Sequence, residues 1–547
     1  MAKNISAQEL QRTLWQENGY ALLDIRERNE YESGQIFGAT QIPRRELEVR
    51  IQELVPVKST PLVLYDWDGE RASLAAATLE AQHYTQVRIL EGGLQAWQRQ
   101  GLPIVRGVHV LSKAFGEIVG EYWRVVPKLT PRELKRWMDS RRDDFVVIEV
   151  RPYEEASKTG SIPGAVVVSG VELPLRVADY VQAGKKIVTT CAGRTRGYIA
   201  CATLKKMNIA RVYDLDNGTK GWKLAGFSLQ KEVTEGPLPS AASRAAAEQF
   251  AKRLAREEGI ASVSAAQLRA WQQEAAAKTL YVVDVRRKEE YETEGHIPGA
   301  RWVAGGQAIQ NADDTVVVPG ARIVFVCDDG TRSVITAYWY QQMGFDQVYV
   351  LEKGMQSWQE EGRALEFGQQ EKTPLGYAEA VKQVDTVSVA SLRKLQRQEA
   401  ATVVLDVSDS RSFAAGHIPG ARWLSRSWLE KRITTILDGI DVPVVVTAAD
   451  AYSPVLAAAD LQKIGYRRVT ALAGGTPAWR KAGKELVVGL DGIVPDDWHI
   501  HLTEYDLKQS AQYLAWEEDL AYLPAYMEYF RRKRVLEDIK EDIAKTS

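Results

Sequence analysis

Short β-branched and apolar runs alternate along this chain with stretches whose apolar positions recur at helical spacing. YVVDV (281–285) and RIVFVC (322–327) predict buried strands. SVITAYWYQQMGF (333–345) predicts a helix closed by Gly344 as its C-cap, and DQVYVLEKG (346–354) predicts the next strand. Strand–helix alternation with short links predicts βαβ units and a parallel sheet covered by helices on both faces.

The pattern occurs four times. An apolar run ends in an acid at Asp24, Glu149, Asp284 and Asp406, and in the first three copies an arginine follows two residues later. GQIFGA, GSIPGA, GHIPGA and GHIPGA come next. Each copy then has a strand running into a loop: LVLYDWDGERA, IVTTCAGRTRG, IVFVCDDGTRS and VVVTAADAYSP. Each closes on a tryptophan: LEGGLQAW, LDNGTKGW, LEKGMQSW and LAGGTPAW. With the first loop position set at Asp66, Cys191, Cys327 and Ala448, the tryptophans Trp97, Trp222, Trp358 and Trp479 all fall 31 residues later. The acids fall 42, 42, 43 and 42 residues earlier. Repeats spaced this widely are domains rather than solenoid units.

The expected architecture is therefore α/β: four tandem doubly wound domains over 1–107, 125–232, 250–367 and 384–488, then a helical tail over 489–547. Residues 108–124 read as a linker or connecting helix, and TEGPLPSAASRAAAEQF (234–250) as a Pro/Ala/Ser-rich link. The tail YLAWEEDLAYLPAYMEYFRRKRVLEDIKEDI (513–543) reads as an amphipathic packing element or a contact between copies of the chain. Its polar face carries both signs, against a membrane role.

Composition adds exclusions. The 547 residues hold 70 Lys and Arg against 72 Asp and Glu, a net charge of −2, without the basic excess of a nucleic-acid or membrane-surface binder. No apolar run is long enough for a signal core or a membrane span. Three cysteines without CxxC spacing or a histidine cluster suit neither a disulfide framework nor a zinc site. The expectation is a reducing, cytoplasmic setting, with no cofactor.

The loop CAGRTR (191–196) carries the chemistry. Backbone N–H groups where a helix follows a strand are unpaired and carry positive potential, so they cradle an anion or stabilise a thiolate. Cys191 is expected to have a lowered pKa and to act as the nucleophile. Gly193 is expected to let the loop curl tightly, and Arg194 and Arg196 to offer planar donors to an oxyanion. CDDGTR keeps Cys327, Gly330 and Arg332, but Asp328 and Asp329 flank its thiol. Carboxylates raise a thiol pKa and repel anionic donors, so Cys327 is the weaker site or one suited to a different donor. Asp66 in DWDGER cannot carry sulfur and is expected to pair with Arg71. AADAYS has neither thiol nor arginine.

The cysteine loop with its arginine, D-x-R, GHIPGA and GG-x-x-A-W together resemble the rhodanese sulfurtransferases, across all four repeats up to about residue 488. The resemblance implies a two-step reaction. A thiolate takes the outer sulfur of a donor such as thiosulfate, releases sulfite, and hands the sulfur from a persulfide to a thiophile such as cyanide or a thiol. It implies an active second domain at Cys191, leaves Cys327 of the third as the weaker site or one for a different donor, and makes the first and fourth domains silent supports. It further implies that the first domain packs on the second and the third on the fourth.

Other residues read as structural. Glu149 with Arg151, and Asp284 with Arg286, brace the loop region. Cys201 is core, with a resolving thiol as the minority reading. His296 and His417 hold turns, and the four tryptophans anchor cores. Two functions compete with sulfur transfer: a non-catalytic scaffold, and a phosphatase or arsenate reductase of the same fold. Against the latter, four residues separate Cys191 from Arg196 and Cys327 from Arg332, where phosphatases of this fold have five.

Overall fold

The computed structural model describes residues 2–14, 19–140, 143–275, 277–369, 372–399, 401–501 and 504–536. The last residues of the expected tail helix, 537–543, lie outside them. Each repeat forms one sheet of entirely parallel strands. In the first, the order across the sheet is Lys3–Ile5, Val87–Leu90, Leu62–Tyr65, Ala21–Asp24, Thr40–Gln41. The third and fourth repeat this order, and the second adds a sixth edge strand, Thr234–Glu235. The acid-bearing strand and the strand feeding the loop are neighbours at the sheet centre. Their register agrees in all four copies: Asp24 pairs with Tyr65, Glu149 with Thr190, Asp284 with Val326 and Asp406 with Thr447. The acid thus lies beside the residue preceding the loop, at the carboxyl ends of the strands, where doubly wound sheets bind ligands.

The constant 31-residue interval has a physical cause. A glycine 27 residues after the loop position, at Gly93, Gly218, Gly354 and Gly475, takes positive φ of 58°, 52°, 57° and 60°. A Cβ on Gly218 would stand 2.3 Å from the Cys191 carbonyl oxygen, and one on Gly354 2.1 Å from that of Cys327. The next residue's amide donates to that carbonyl each time, as in Thr219 to Cys191 at 2.8 Å and Met355 to Cys327 at 2.7 Å. The tryptophan follows on the same helix. Trp97, Trp222, Trp358 and Trp479 are buried, and each donates its indole N–H to a carbonyl six residues on.

The chain falls into two units, Met1–Val108 with Glu371–His499, and His109–Gln370 with Ile500–Ser547. The first repeat therefore packs with the fourth and the second with the third, correcting the sequential pairing. In the first unit the contact is made by buried charge. Arg426 donates to Glu48 at 2.8 and 2.9 Å and to Asp460 at 2.8 Å, while Arg44 bonds Glu48 at 3.1 Å. Burial alone would raise the Glu48 carboxyl, but Arg426 and Arg44 more than offset it and hold it at about 2. This unit should therefore carry the full contribution of Glu48 above about pH 4.5. It should lose roughly 3 kcal/mol as pH falls from there through 2, measurable by urea titration at stepped pH.

In the second unit one expected link is corrected, and the helix alternative for 108–124 is the one that forms. Residues 234–250 are not all link, since a 17-residue helix, Ala241–Glu257, begins inside them with Ser240 as N-cap. Residues 108–124 hold a buried bracing helix, Val110–Glu117, whose Phe115 meets Trp123 edge-on at 5.6 Å. The tail forms helices Leu507–Asp519 and Pro524–Arg532, which bury Leu514, Tyr526 and Phe530 within this unit. No helix among the described residues is long and apolar enough to cross a membrane.

Candidate functional site

Strand Lys186–Thr190 delivers Cys191 to the loop, and helix Thr195–Lys206 begins four residues later. The thiol is covered, at 3% exposure. Burial pushes it up to about 11, with Asp214 and Glu149 adding to the rise, and Arg196 and the Gly193 amide opposing it. The expected depressed pKa is therefore corrected for this conformation: desolvation outweighs the loop's positive potential. Cys201 is buried within the following helix, consistent with core packing.

Arg196 explains part of this weakness. Its guanidinium makes a paired bond to Glu155 at 2.6 and 2.9 Å, so its charge is largely neutralised beside the thiol, and it reaches Gln307 of the third repeat at 3.3 Å. The same device recurs. Arg71 pairs with Glu30 at 2.6 and 2.8 Å, and Arg332 with Glu290 at 2.7 and 2.9 Å. The glutamate stands six residues after the repeat's acid, and the fourth repeat has Ser412 there and Ser453 in place of the arginine. Loss of both partners together was a legible signal that motif matching missed.

Arg194 does not face the thiol, correcting its expected role as an anion donor. It bonds Glu117 at 2.7 and 2.8 Å, Glu121 at 2.6 Å, Glu518 at 2.7 Å and Asn217 at 3.0 Å. It ties the loop to the bracing helix and the tail. Gly193 has no positive φ, so tight curling is not its function. It allows close approach instead: a Cβ there would lie 3.1 Å from Glu517 Oε2 and 3.7 Å from the Tyr513 ring.

The other loops act as internal comparisons. Asp66 accepts from the amides of Gly69 at 2.7 Å and Arg71 at 3.1 Å, with the expected Arg71 pair present at 3.5 Å. This backbone thus receives an anion. Cys327 Sγ accepts from the amides of Gly330 at 3.2 Å and Ser333 at 3.4 Å. Gly330, at φ 96°, is the N-cap of helix Thr331–Gln342. The Cys327 thiol is fully buried and pushed up to about 12, by burial first and then by Asp328, with Asp329 adding to it. Arg332 is shared among Glu290, Asp328 at 2.8 Å and Glu172 at 2.5 Å, which leaves it little charge for a donor.

The braces form as expected. Arg151 bonds Glu149 at 2.7 and 2.8 Å and Arg286 bonds Asp284 at 2.7 Å, and each also reaches a carbonyl of the following turn, Gly160 or Gly295. His296 stacks on Tyr291 at 3.6 Å and His417 on Phe413 at 3.7 Å, each bonding that residue's carbonyl through Nδ1.

Two site residues escaped sequence reading. Asp214, buried in strand Val212–Leu215, accepts from Thr189 Oγ1 at 2.7 Å, and burial holds its carboxyl far above the usual range. Its signal was an acid inside an apolar strand. Lys220, on the helix after Asn217, is 7% exposed and lies 5.2 Å from the Tyr513 ring. Burial lowers it to about 8, against the pull of Glu517 and Cys191.

Comparison with known proteins agrees with this geometry. The Rhodanese-like domain family model matches residues 6–100, 130–225, 264–361 and 388–482. A crystal structure of a thiosulfate sulfurtransferase from Pseudomonas aeruginosa is 32% identical, with a TM-score of 0.87 over 97% of this chain and 98% of that one. A sulfurtransferase of Allochromatium vinosum is 36% identical over 105 residues, 19% of this chain and 96% of the relative. The thiosulfate sulfurtransferase GlpE of Stutzerimonas stutzeri is 37% identical over 83 residues, 15% of this chain and 74% of the relative. Four matched domains and one relative aligned from end to end leave a single assignment: the chain belongs to the rhodanese-like family of sulfurtransferases.

Proposed function

We propose that this chain transfers sulfane sulfur from thiosulfate, or a donor of the same type, through a persulfide on Cys191. The Cys191 thiolate attacks the donor's outer sulfur, a Cys–S–S bond forms, and the donor's S–S bond breaks with its electron pair leaving on sulfite. Cyanide or a thiolate then attacks the terminal sulfur and regenerates the Cys191 thiolate. The observation that carries this reading is the loop itself: a cysteine at the carboxyl edge of the sheet, with a helix start behind it, in a family whose aligned relatives include thiosulfate sulfurtransferases.

With the thiol near 11, the covered loop holds it protonated at neutral pH. Entry of the donor must therefore accompany exposure of the loop and loss of the thiol proton to water. Cys327 stands second in this reading, because its arginine is claimed by three carboxylates. The first and fourth repeats act as support. We place the reaction in the cytoplasm, with small-molecule donor and acceptor and no cofactor. Exposure to thiosulfate should add one sulfur, about 32 Da, to the Cys191 peptide, and cyanide should remove it. Absence of that adduct after turnover conditions would refute the assignment. Mercaptopyruvate run in parallel distinguishes the donor.

A further inference from the structure

The tail helix Leu507–Asp519 lies on the Cys191 loop, and it presents a carboxylate there. Glu517 is 2% exposed. Its Oε1 accepts from Thr195 Oγ1 at 3.1 Å, at the first residue of the 12-residue helix Thr195–Lys206. Its Oε2 is buried, makes no well-aligned hydrogen bond, and is the atom nearest a Cβ built on Gly193, with the Tyr513 hydroxyl and the Lys220 ammonium as the polar groups acting on the carboxylate. Lys220 approaches from the other side: its ammonium stands over the Tyr513 ring, one turn before Glu517, and its amide donates to the Ala192 carbonyl at 3.2 Å. A buried carboxylate with one oxygen poorly matched is costly as mere packing. Set against a helix start and a buried lysine, it occupies the place of a small oxyanion.

We propose that Thr195 and Lys220 form an oxyanion subsite on the loop that carries Cys191, and that Glu517 fills it in the resting chain as an internal anion. A donor's sulfonate end would displace the Glu517 carboxylate, and with it the cover over the thiol. Lys220 is then a specificity residue for anionic donors. This rests on Cys191 being the reactive thiol.

The test compares two alkylating reagents of similar size on the full chain, neutral iodoacetamide and anionic iodoacetate, with modification at Cys191 read by peptide mass mapping. Glu517→Gln keeps shape and removes charge. It should raise the iodoacetate-to-iodoacetamide rate ratio at Cys191 by about tenfold or more. Adding Lys220→Met should return the ratio towards that of the unaltered chain. An unchanged ratio, equal acceleration of both reagents, or a Cys191 unmodified in every variant overturns the subsite. Matching thermal midpoints check that the variants fold. A thiosulfate:cyanide assay on the same proteins separates the two readings. A ratio shift without sulfur transfer leaves the subsite standing and removes the proposed reaction. With transfer, Glu517→Gln should lower the KM for thiosulfate.

Discussion

Cys191→Ser is expected to lower thiosulfate:cyanide transfer by roughly 10³-fold or more, since no other group at the loop can carry the sulfur between half-reactions. Cys327→Ser should keep activity within about threefold of the parent. The contrast follows from the two arginines. Arg196 has one carboxylate partner, Glu155, and a 16% exposed side chain. Arg332 is almost fully buried between carboxylates of its own repeat and Glu172 of the second. An anionic donor meets a net negative surround at Cys327. Steady-state rates on both variants check this, and parity between them would mean that the two loops share the work.

The largest stability effect is expected at Arg426→Met. The side chain is fully buried and bonds both Glu48 and Asp460, so its loss leaves two carboxylates to the weaker contacts of Arg44. Breaking a buried pair from one side costs about 3–5 kcal/mol, because the remaining charge stays desolvated. The urea midpoint of the unit built from the first and fourth repeats should fall accordingly. The acid sensitivity of that unit should shift too. Without Arg426, burial dominates and the Glu48 carboxyl rises towards or above its usual range, so the Glu48-linked loss of stability between about pH 4.5 and 2 shrinks, and turns into a gain on acidification once the carboxyl passes its usual range. A midpoint within about 0.5 kcal/mol of the parent would show that the contact is dispensable.

Much of the site was readable from spacing, because a βαβ unit sets its own geometry. Parallel pairing puts the repeat's acid level with the residue before the loop, and the glycine 27 residues on must touch the loop carbonyl. Those constraints are local, so the intervals recur even where the thiol has been replaced by Asp66 or Ala448. The Glu30, Glu155 and Glu290 partners were equally local and were open to the same reading.

Arg194 shows the limit. Its place in the loop suggested an anion donor, but its partners Glu117 and Glu518 lie 77 and 324 residues away in the chain. Nothing near CAGRTR announces them. The same holds for the thiol: its loop favours a thiolate, while its burial favours a protonated sulfur, and Tyr513 and Glu517 of the tail lie against that loop at Gly193.

From its residue pattern alone, this protein is four rhodanese-like repeats with one well-equipped cysteine loop, since strand alternation and fixed loop intervals act within each repeat of about 100 residues. Assembly settled the rest: the first repeat with the fourth, the second with the third, and a C-terminal helix against the Cys191 loop at Gly193. These depend on burial and charge between distant segments, and desolvation has no sequence signature until the covering surfaces meet.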